Sequence, residues 1–293
     1  MKYIVSLYKI LVGITVFVNS YALNQLSFSG GGSFGAVEIG IIHKLQDLYN
    51  KKYDFYSGIS AGGINAGFLS HFENLNDGII KAIDFYSTSK NKDIYSIRHP
   101  THISLLNTEP LRNTMQNILE ELSNPVIDTY IGATNLYTGK LDIFNYHEAN
   151  SIDEYIKILM ATSAIPVVFP PITYKNSQYA DGGTLQNELL NIIHDDTYLN
   201  ITYITPYMDT FYDNTTITSL KQMTKRSFEV VKNSFNNEYN KINNNCQTIK
   251  GEINKYFVNN SLLEPYDMLN FNNGKELYDI GYHNIQHEKI YIC

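Results

Sequence analysis

Three stretches of this chain set chemically capable residues beside glycines. Gly58-Ile59-Ser60-Ala61-Gly62 is a G-x-S-x-G pentapeptide between a strand-like segment and a helix rich in small residues. A chain turning sharply at that junction strains its central residue and lifts the hydroxyl into the open, as a serine nucleophile requires. A helix beginning just after Ser60 also points N–H groups and a positive dipole end at the same spot. Gly30-Gly31-Gly32-Ser33-Phe34-Gly35 is a glycine run at another strand end before another helix. Unobstructed N–H groups in such a nest stabilise an oxyanion or a phosphate equally well. Asp181-Gly182-Gly183 holds a carboxylate on a glycine turn, where it can be aimed with little steric hindrance. A hydroxyl, a base within hydrogen-bond reach and a set of N–H donors are the parts of acyl transfer.

Each stretch also has another reading. Asp-Gly is often only a turn, and a G-x-S-x-G by itself is a common chance match. Gly30-x-Gly32-x-x-Gly35 matches the dinucleotide fingerprint, with Asp54 near the place of its ribose-binding acid. That alternative leaves Ser60 and Asp181 without a purpose. Among eight histidines, His194 and His283 lie late enough to close a Ser–Asp–His triad. No closely spaced set of His, Cys and Asp offers metal ligands, so neither a metal nor another cofactor is expected.

The elements that must position these residues follow from hydrophobic spacing. Leu23 to Phe28 alternates as a short strand, and Val37, Ile41, Ile42, Leu45 and Leu48 recur at helical spacing. Tyr53 to Tyr56 is a second strand running into the Ser60 turn. This strand–helix–strand–helix order predicts a parallel sheet covered by helices. A helix is expected over Ile79 to Tyr86, with a loop-rich stretch from Lys90 to Glu109. Strands are expected at Val126 to Thr134 and Leu141 to Tyr146, and a helix starts at the Ser151-x-x-Glu154 capping box, ended by Pro166, Pro170 and Pro171. Tyr179-Ala180 leads as a strand into Asp181, and Tyr198 to Thr205 is a further strand. Beyond Ser219 the spacing turns helical, with a last helix from Leu262 to Tyr282, so residues 206–293 read as mainly helical.

These motifs, in this order, resemble the patatin-like phospholipase family. The run Phe28 to Gly35 looks like its oxyanion loop, and Gly58 to Gly62 like its nucleophile elbow. Ala161-Thr162-Ser163-Ala164-Ile165-Pro166, continuing to Phe169-Pro170-Pro171, resembles the segment between elbow and acid. Asp181-Gly182-Gly183, with Asn187 after it, looks like the catalytic-acid turn. The resemblance covers roughly Leu23 to Thr205. It implies an α/β chain with a three-layer α/β/α fold and a mostly parallel central sheet. It further implies a Ser60–Asp181 dyad without histidine, an oxyanion hole at Gly30, Gly31 and Gly32, and Gly35, Gly58, Gly62, Gly182 and Gly183 as supports of the motifs. The implied activity is phospholipase A-type hydrolysis of carboxylic esters in phospholipids or other acyl lipids, without calcium and with transient contact at a membrane surface. Phe34 departs from the pattern, because the family usually carries Arg or Lys there; Glu188 replaces the proline often found after Asn187. An inactive lipid-binding module is the alternative from another class.

An aspartate is a weak base in water, with a pKa near 3.9, but desolvation raises it and a short hydrogen bond lets the proton move as attack proceeds.

Composition sets outer bounds. With 293 residues, 43% hydrophobic and 17% charged, the chain fits one large α/β domain, taken here as residues 23–293. A formal net charge of −7 without a Lys or Arg run argues against nucleic acid as partner. Residues 1–22 read as a secretory signal: Lys2 and Lys9, an apolar run from Ile10 to Val18, and a small-x-small site at Ser20-Tyr21-Ala22. That predicts secretion or an endomembrane lumen, the alternative being a retained, membrane-associated segment. Cys246 and Cys293 permit one disulfide.

Overall fold

The computed structural model describes residues 22–97, 103–190, 192, 198–207, 216, 218, 223, 226 and 250–292. The signal-like residues 1–21, His194, the helical stripe expected from Leu220 to Ile242 apart from Met223 and Arg226, and both cysteines lie outside the described residues.

The first unit is β1 (Leu23–Phe28), α1 (Gly35–Tyr49), β2 (Phe55–Ile59) and α2 (Ala61–Leu69), each strand feeding a helix through a glycine turn. Next come α3 (Leu75–Thr88), α4 (Asn91–Ile94), the two-residue strands β3 (Ser96–Ile97) and β4 (Leu106–Asn107), and α5 (Glu109–Leu119). The expected loop-rich stretch is thus short elements. α5 was not apparent from spacing, although Pro110 sits in its first turn, where proline is tolerated. Then follow β5 (Asp128–Asn135), β6 (Lys140–Asn145), α6 (Ile152–Thr162), β7 (Ile172–Tyr174), β8 (Ser177–Asp181) and β9 (Tyr198–Tyr207). Ser151 does cap α6, accepting from the Glu154 N–H at 3.3 Å. The Glu154 carboxylate reaches back one residue farther than a capping box requires, to the Asn150 N–H.

The sheet order is β11-β10-β9-β1-β2-β5-β8-β7, with β6 on the other edge of β5; the central run β10-β9-β1-β2-β5 is parallel. Leu26, Phe28 and Ile204 face α1, α2 and α3, and Ile131 and Ala133 on the same face meet α5 and α6. The opposite face carries Phe55, Leu199, Ile201 and Tyr203, packed with Leu190 among the described residues. The result is a mostly parallel sheet flanked by helices.

The C-terminal reading needs correction. In its described part, residues 250–292 form β10 (Lys250–Val258), α7 (Gly274–His283) and β11 (Gln286–Ile292), so two strands stand where helix was expected. β10 alternates buried Gly251, Ile253, Lys255 and Phe257 with partly exposed residues. Glycine and lysine at two of those inward positions hide the period-two signal from a hydropathy reading. The last helix is also shorter than Leu262–Tyr282, because Asn260–Leu262 and Phe271–Asn273 are single tight turns.

Candidate active site

The site is assembled on one edge of β5. β6 pairs with Tyr130 to Asn135 along the far edge, so β2 and β8 share the near one. β2 runs parallel and ends with Ile59 opposite Gly132; β8 runs antiparallel and ends with Asp181 opposite Ala133. Two strands of opposite direction therefore meet end to end, and the residues at their tips are brought together. Ser60 Oγ donates to Asp181 Oδ2 at 2.6 Å.

Ser60 adopts φ 55, ψ −128, a positive-φ conformation unusual for a side-chain-bearing residue and a source of local backbone strain. The packing that holds it there is tight: a Cβ on Gly62 would stand 2.0 Å from the Ser29 carbonyl oxygen. Gly58 lies against Gly62 across the elbow, and Gly35 opens α1 against the Tyr86 hydroxyl and Ala61. Thr162, at the end of α6, accepts from the Ser60 N–H at 2.8 Å and donates to the Gly132 carbonyl at 2.6 Å.

Asp181 is buried and fully engaged. Its Oδ1 accepts from the Gly183 N–H at 2.7 Å, its N–H donates to Ala164, and its carbonyl accepts from Thr134. Gly182 lies over the Gly132 carbonyl. Burial pushes the Asp181 carboxyl up to about 7, against the lowering pull of the hydrogen bonds from Ser60 and Gly183. Its proton affinity is thus that of a useful base near neutrality.

The glycine loop crosses in front of this pair. Gly30 accepts through its carbonyl from Asn187 Nδ2 at 3.2 Å and from the Tyr207 hydroxyl at 3.1 Å. The Ser33 and Phe34 N–H groups are engaged, with Met268 and Gly31. Those of Gly30, Gly31 and Gly32 have no acceptor among the described residues. Gly32 has φ +58, and a Cβ on it would stand 2.2 Å from the Met268 carbonyl oxygen. Beneath the loop lies a buried polar network: Asn65 Nδ2 donates to the Gly35 carbonyl and to Glu38, and Tyr86 donates to Asn65 Oδ1.

Ser60 and Gly32 open on a cleft lined further by Ile64, Ile165, Phe169, Leu269 and Phe271. Leu269 and Phe271 gave no signal in the sequence. Phe34 is buried against Tyr207, so it presents nothing to a head group.

Other candidates fall elsewhere. Asp54 accepts from the Asn24 N–H at 2.7 Å at the start of β2, the end of the sheet opposite the glycine loop, out of reach of a ribose held there. His283 is exposed at the end of α7, its ring against Tyr282. His43, His71, His147 and His287 find partners at Tyr278, Ser123, Asp128 and Asn254. Among the described residues, no group of three His, Cys, Asp or Glu is placed to hold a metal ion, and no helix is long and apolar enough to cross a membrane.

Parts of the chain resemble known proteins in sequence. A probable lipid hydrolase, 463L of Invertebrate iridescent virus 6, is 27% identical over 181 residues, which is 57% of this chain and 62% of that protein. The chain therefore spans less than two thirds of the length of this relative. The crystal structure of VipD from Legionella pneumophila aligns with 91% of this chain and 68% of its own, at TM-score 0.43 and 13% identity. The sequence pattern of patatin-like phospholipases matches residues 26–194, a span that holds Ser60, Asp181 and the whole glycine loop, and the chain belongs to that family.

Proposed function

We propose that the chain hydrolyses carboxylic esters of phospholipids or related acyl lipids through a Ser60–Asp181 dyad. The observation that carries this reading is the 2.6 Å hydrogen bond from the Ser60 hydroxyl to a buried carboxylate whose pKa is raised to about 7. Asp181 takes the hydroxyl proton as Oγ attacks the ester carbonyl. The N–H groups of Gly30, Gly31 and Gly32 hold the oxyanion, at about 3 kcal/mol per well-placed donor. Asp181 returns the proton to the leaving alcohol, and water then releases the acyl group from Ser60 with Asp181 again as base. The dyad is favoured over a histidine triad because the Ser60 proton is already directed at Asp181.

The cleft supports this substrate class, because its apolar wall suits an acyl chain. Contact with a lipid surface is supported at the rim. Leu105 donates its N–H to the Val167 carbonyl, and β3 pairs with β4 beside it. This brings Ile97, Ile103, Leu105 and Val167 together, all large, apolar and exposed. Val167 has φ 70, costly for a β-branched residue, which holds its side chain outward. Ile165 and Phe169, on the same segment, line the cleft.

The test is mass-spectrometric product analysis after incubation with mixed lipids. Free fatty acid released by the parent chain but not by Ser60→Ala is the expected result; lipid left intact by both defeats the reading. Release should persist in EDTA, since nucleophile, base and donors all come from the chain. We further propose that residues 1–22 direct export. N-terminal sequencing of protein from a secretory host should find a start near Leu23, and a retained Met1 would refute it.

A further inference from the structure

Ala61, Ile64 and Phe68 recur three and four residues apart, forming one stripe down α2 that starts beside Ser60. The cleft at Ser60 does not end at Ile64. A second apolar space continues along the stripe, between α2, α3, α5 and α6. Ile64, Phe85, Tyr86 and Leu111 line both spaces, so the two share a wall. The polar side chains on the second cavity are Asn65 and Tyr86, and they satisfy each other, the Tyr86 hydroxyl donating to Asn65 Oδ1 at 2.8 Å. The rest is hydrocarbon, with Phe68, Met115 and Leu119 lining the part farthest along α2 and α5 from Ser60. Such a space offers water or a polar ligand no partner and welcomes an alkyl chain.

We propose that the second cavity receives the distal end of one straight acyl chain whose ester carbonyl lies at Ser60, and that Phe68, Met115 and Leu119 set its preferred length. This rests on the ester-hydrolase reading and deepens it. From Ser60 to Phe68 the helix rises about 12 Å, at about 1.5 Å per residue. An extended hydrocarbon with bonds of about 1.5 Å and tetrahedral angles advances about 1.25 Å per carbon. A chain of about ten carbons therefore reaches the level of Phe68. A longer chain gains nothing from its last methylenes.

The experiment uses the full chain and a series of p-nitrophenyl esters from butyrate through decanoate to palmitate. kcat/KM should climb to about the decanoate and then level off. Ala82→Phe, which fills the second cavity from α3, should lower the decanoate-to-butyrate ratio of kcat/KM about tenfold or more. Leu119→Ala, which lengthens the cavity, should move the plateau to longer chains. Calorimetric binding of decanoate to the Ser60→Ala chain supplies a readout without turnover, and adding Ala82→Phe should weaken it about tenfold. Butyrate hydrolysis with the ratio, the plateau and decanoate binding all unmoved by these variants overturns the cavity assignment while leaving the hydrolase reading intact. Absence of hydrolysis at every length, with decanoate binding still weakened by Ala82→Phe, overturns the hydrolase reading and upholds the cavity.

Discussion

Thr162 accepts the backbone N–H of Ser60 at 2.8 Å. That bond engages the N–H of Ser60 itself, which is therefore not available to any group held in front of the Ser60 hydroxyl. Because the Thr162 hydroxyl also donates to Gly132, one side chain ties the nucleophile turn to the strand that also receives Asp181.

Thr162→Val should therefore leave two buried backbone groups unpaired, at about 1–3 kcal/mol each. Urea denaturation is expected to show the loss, and kcat on a soluble ester to fall more than KM rises. Thr162→Ser keeps the hydroxyl and should restore both; a Ser variant no better than Val would remove the hydrogen-bond argument.

Ser60→Ala and Asp181→Asn should each abolish ester hydrolysis while leaving the circular dichroism spectrum unchanged. Activity retained in Asp181→Asn and lost on replacing His194 or His283 would transfer the base role to a triad.

The pH dependence has two signs. Only ionised Asp181 can accept the Ser60 proton, so kcat/KM should rise with pH through about 7 and then level off. Stability runs the other way. The folded carboxyl keeps its proton up to about pH 7, against 3.8 as the ordinary value. Between those values the folded state binds more protons, so stability is full below about pH 4 and falls as pH rises to about 7, by roughly 4 kcal/mol. Asp181→Asn should melt higher than the parent at pH 8, with the gap closing toward pH 5. Parallel melting curves for the two proteins across that range would contradict the raised carboxyl.

In the glycine loop the two central positions should differ in kind. A side chain at Gly32 meets both a positive φ and the Met268 carbonyl, whereas one at Gly31 meets the Pro206 ring at 3.0 Å and Phe34 Cβ at 3.3 Å. Gly32→Val should cost at least a hundredfold in kcat, the scale of one lost oxyanion donor, together with stability. Gly31→Val should lose catalysis with a smaller change in melting. Near-normal turnover of a soluble ester by both would reduce the loop to a turn.

At the rim, Ile97→Asp with Val167→Asp should lower hydrolysis of phospholipid in neutral vesicles, relative to a soluble ester, about tenfold. Flotation of the protein with those vesicles should fall in step; unchanged flotation would dismiss this surface.

Much of this site was legible because its parts are short-range. A strand, a glycine turn and a helix lie within about fifteen residues at both Gly30 and Ser60, so spacing alone places the loop and the hydroxyl. The meeting of Ser60 with Asp181 was legible only through the family resemblance and not from spacing, since it depends on β8 running antiparallel and docking at Ala133 beyond the tip of β2. Register across a sheet is set by tertiary packing and leaves no local trace. Phe34 stands out in the sequence only as a departure from the family's Arg or Lys, and its ring belongs to the core between the loop and Tyr207.

The contact between Gly32 and Met268 has a consequence in time. The motifs leave the ribosome within the first 190 residues, yet the loop they supply is clamped by a carbonyl from residue 268. The proposed site would thus lack this clamp on its glycine loop until some eighty further residues have been made.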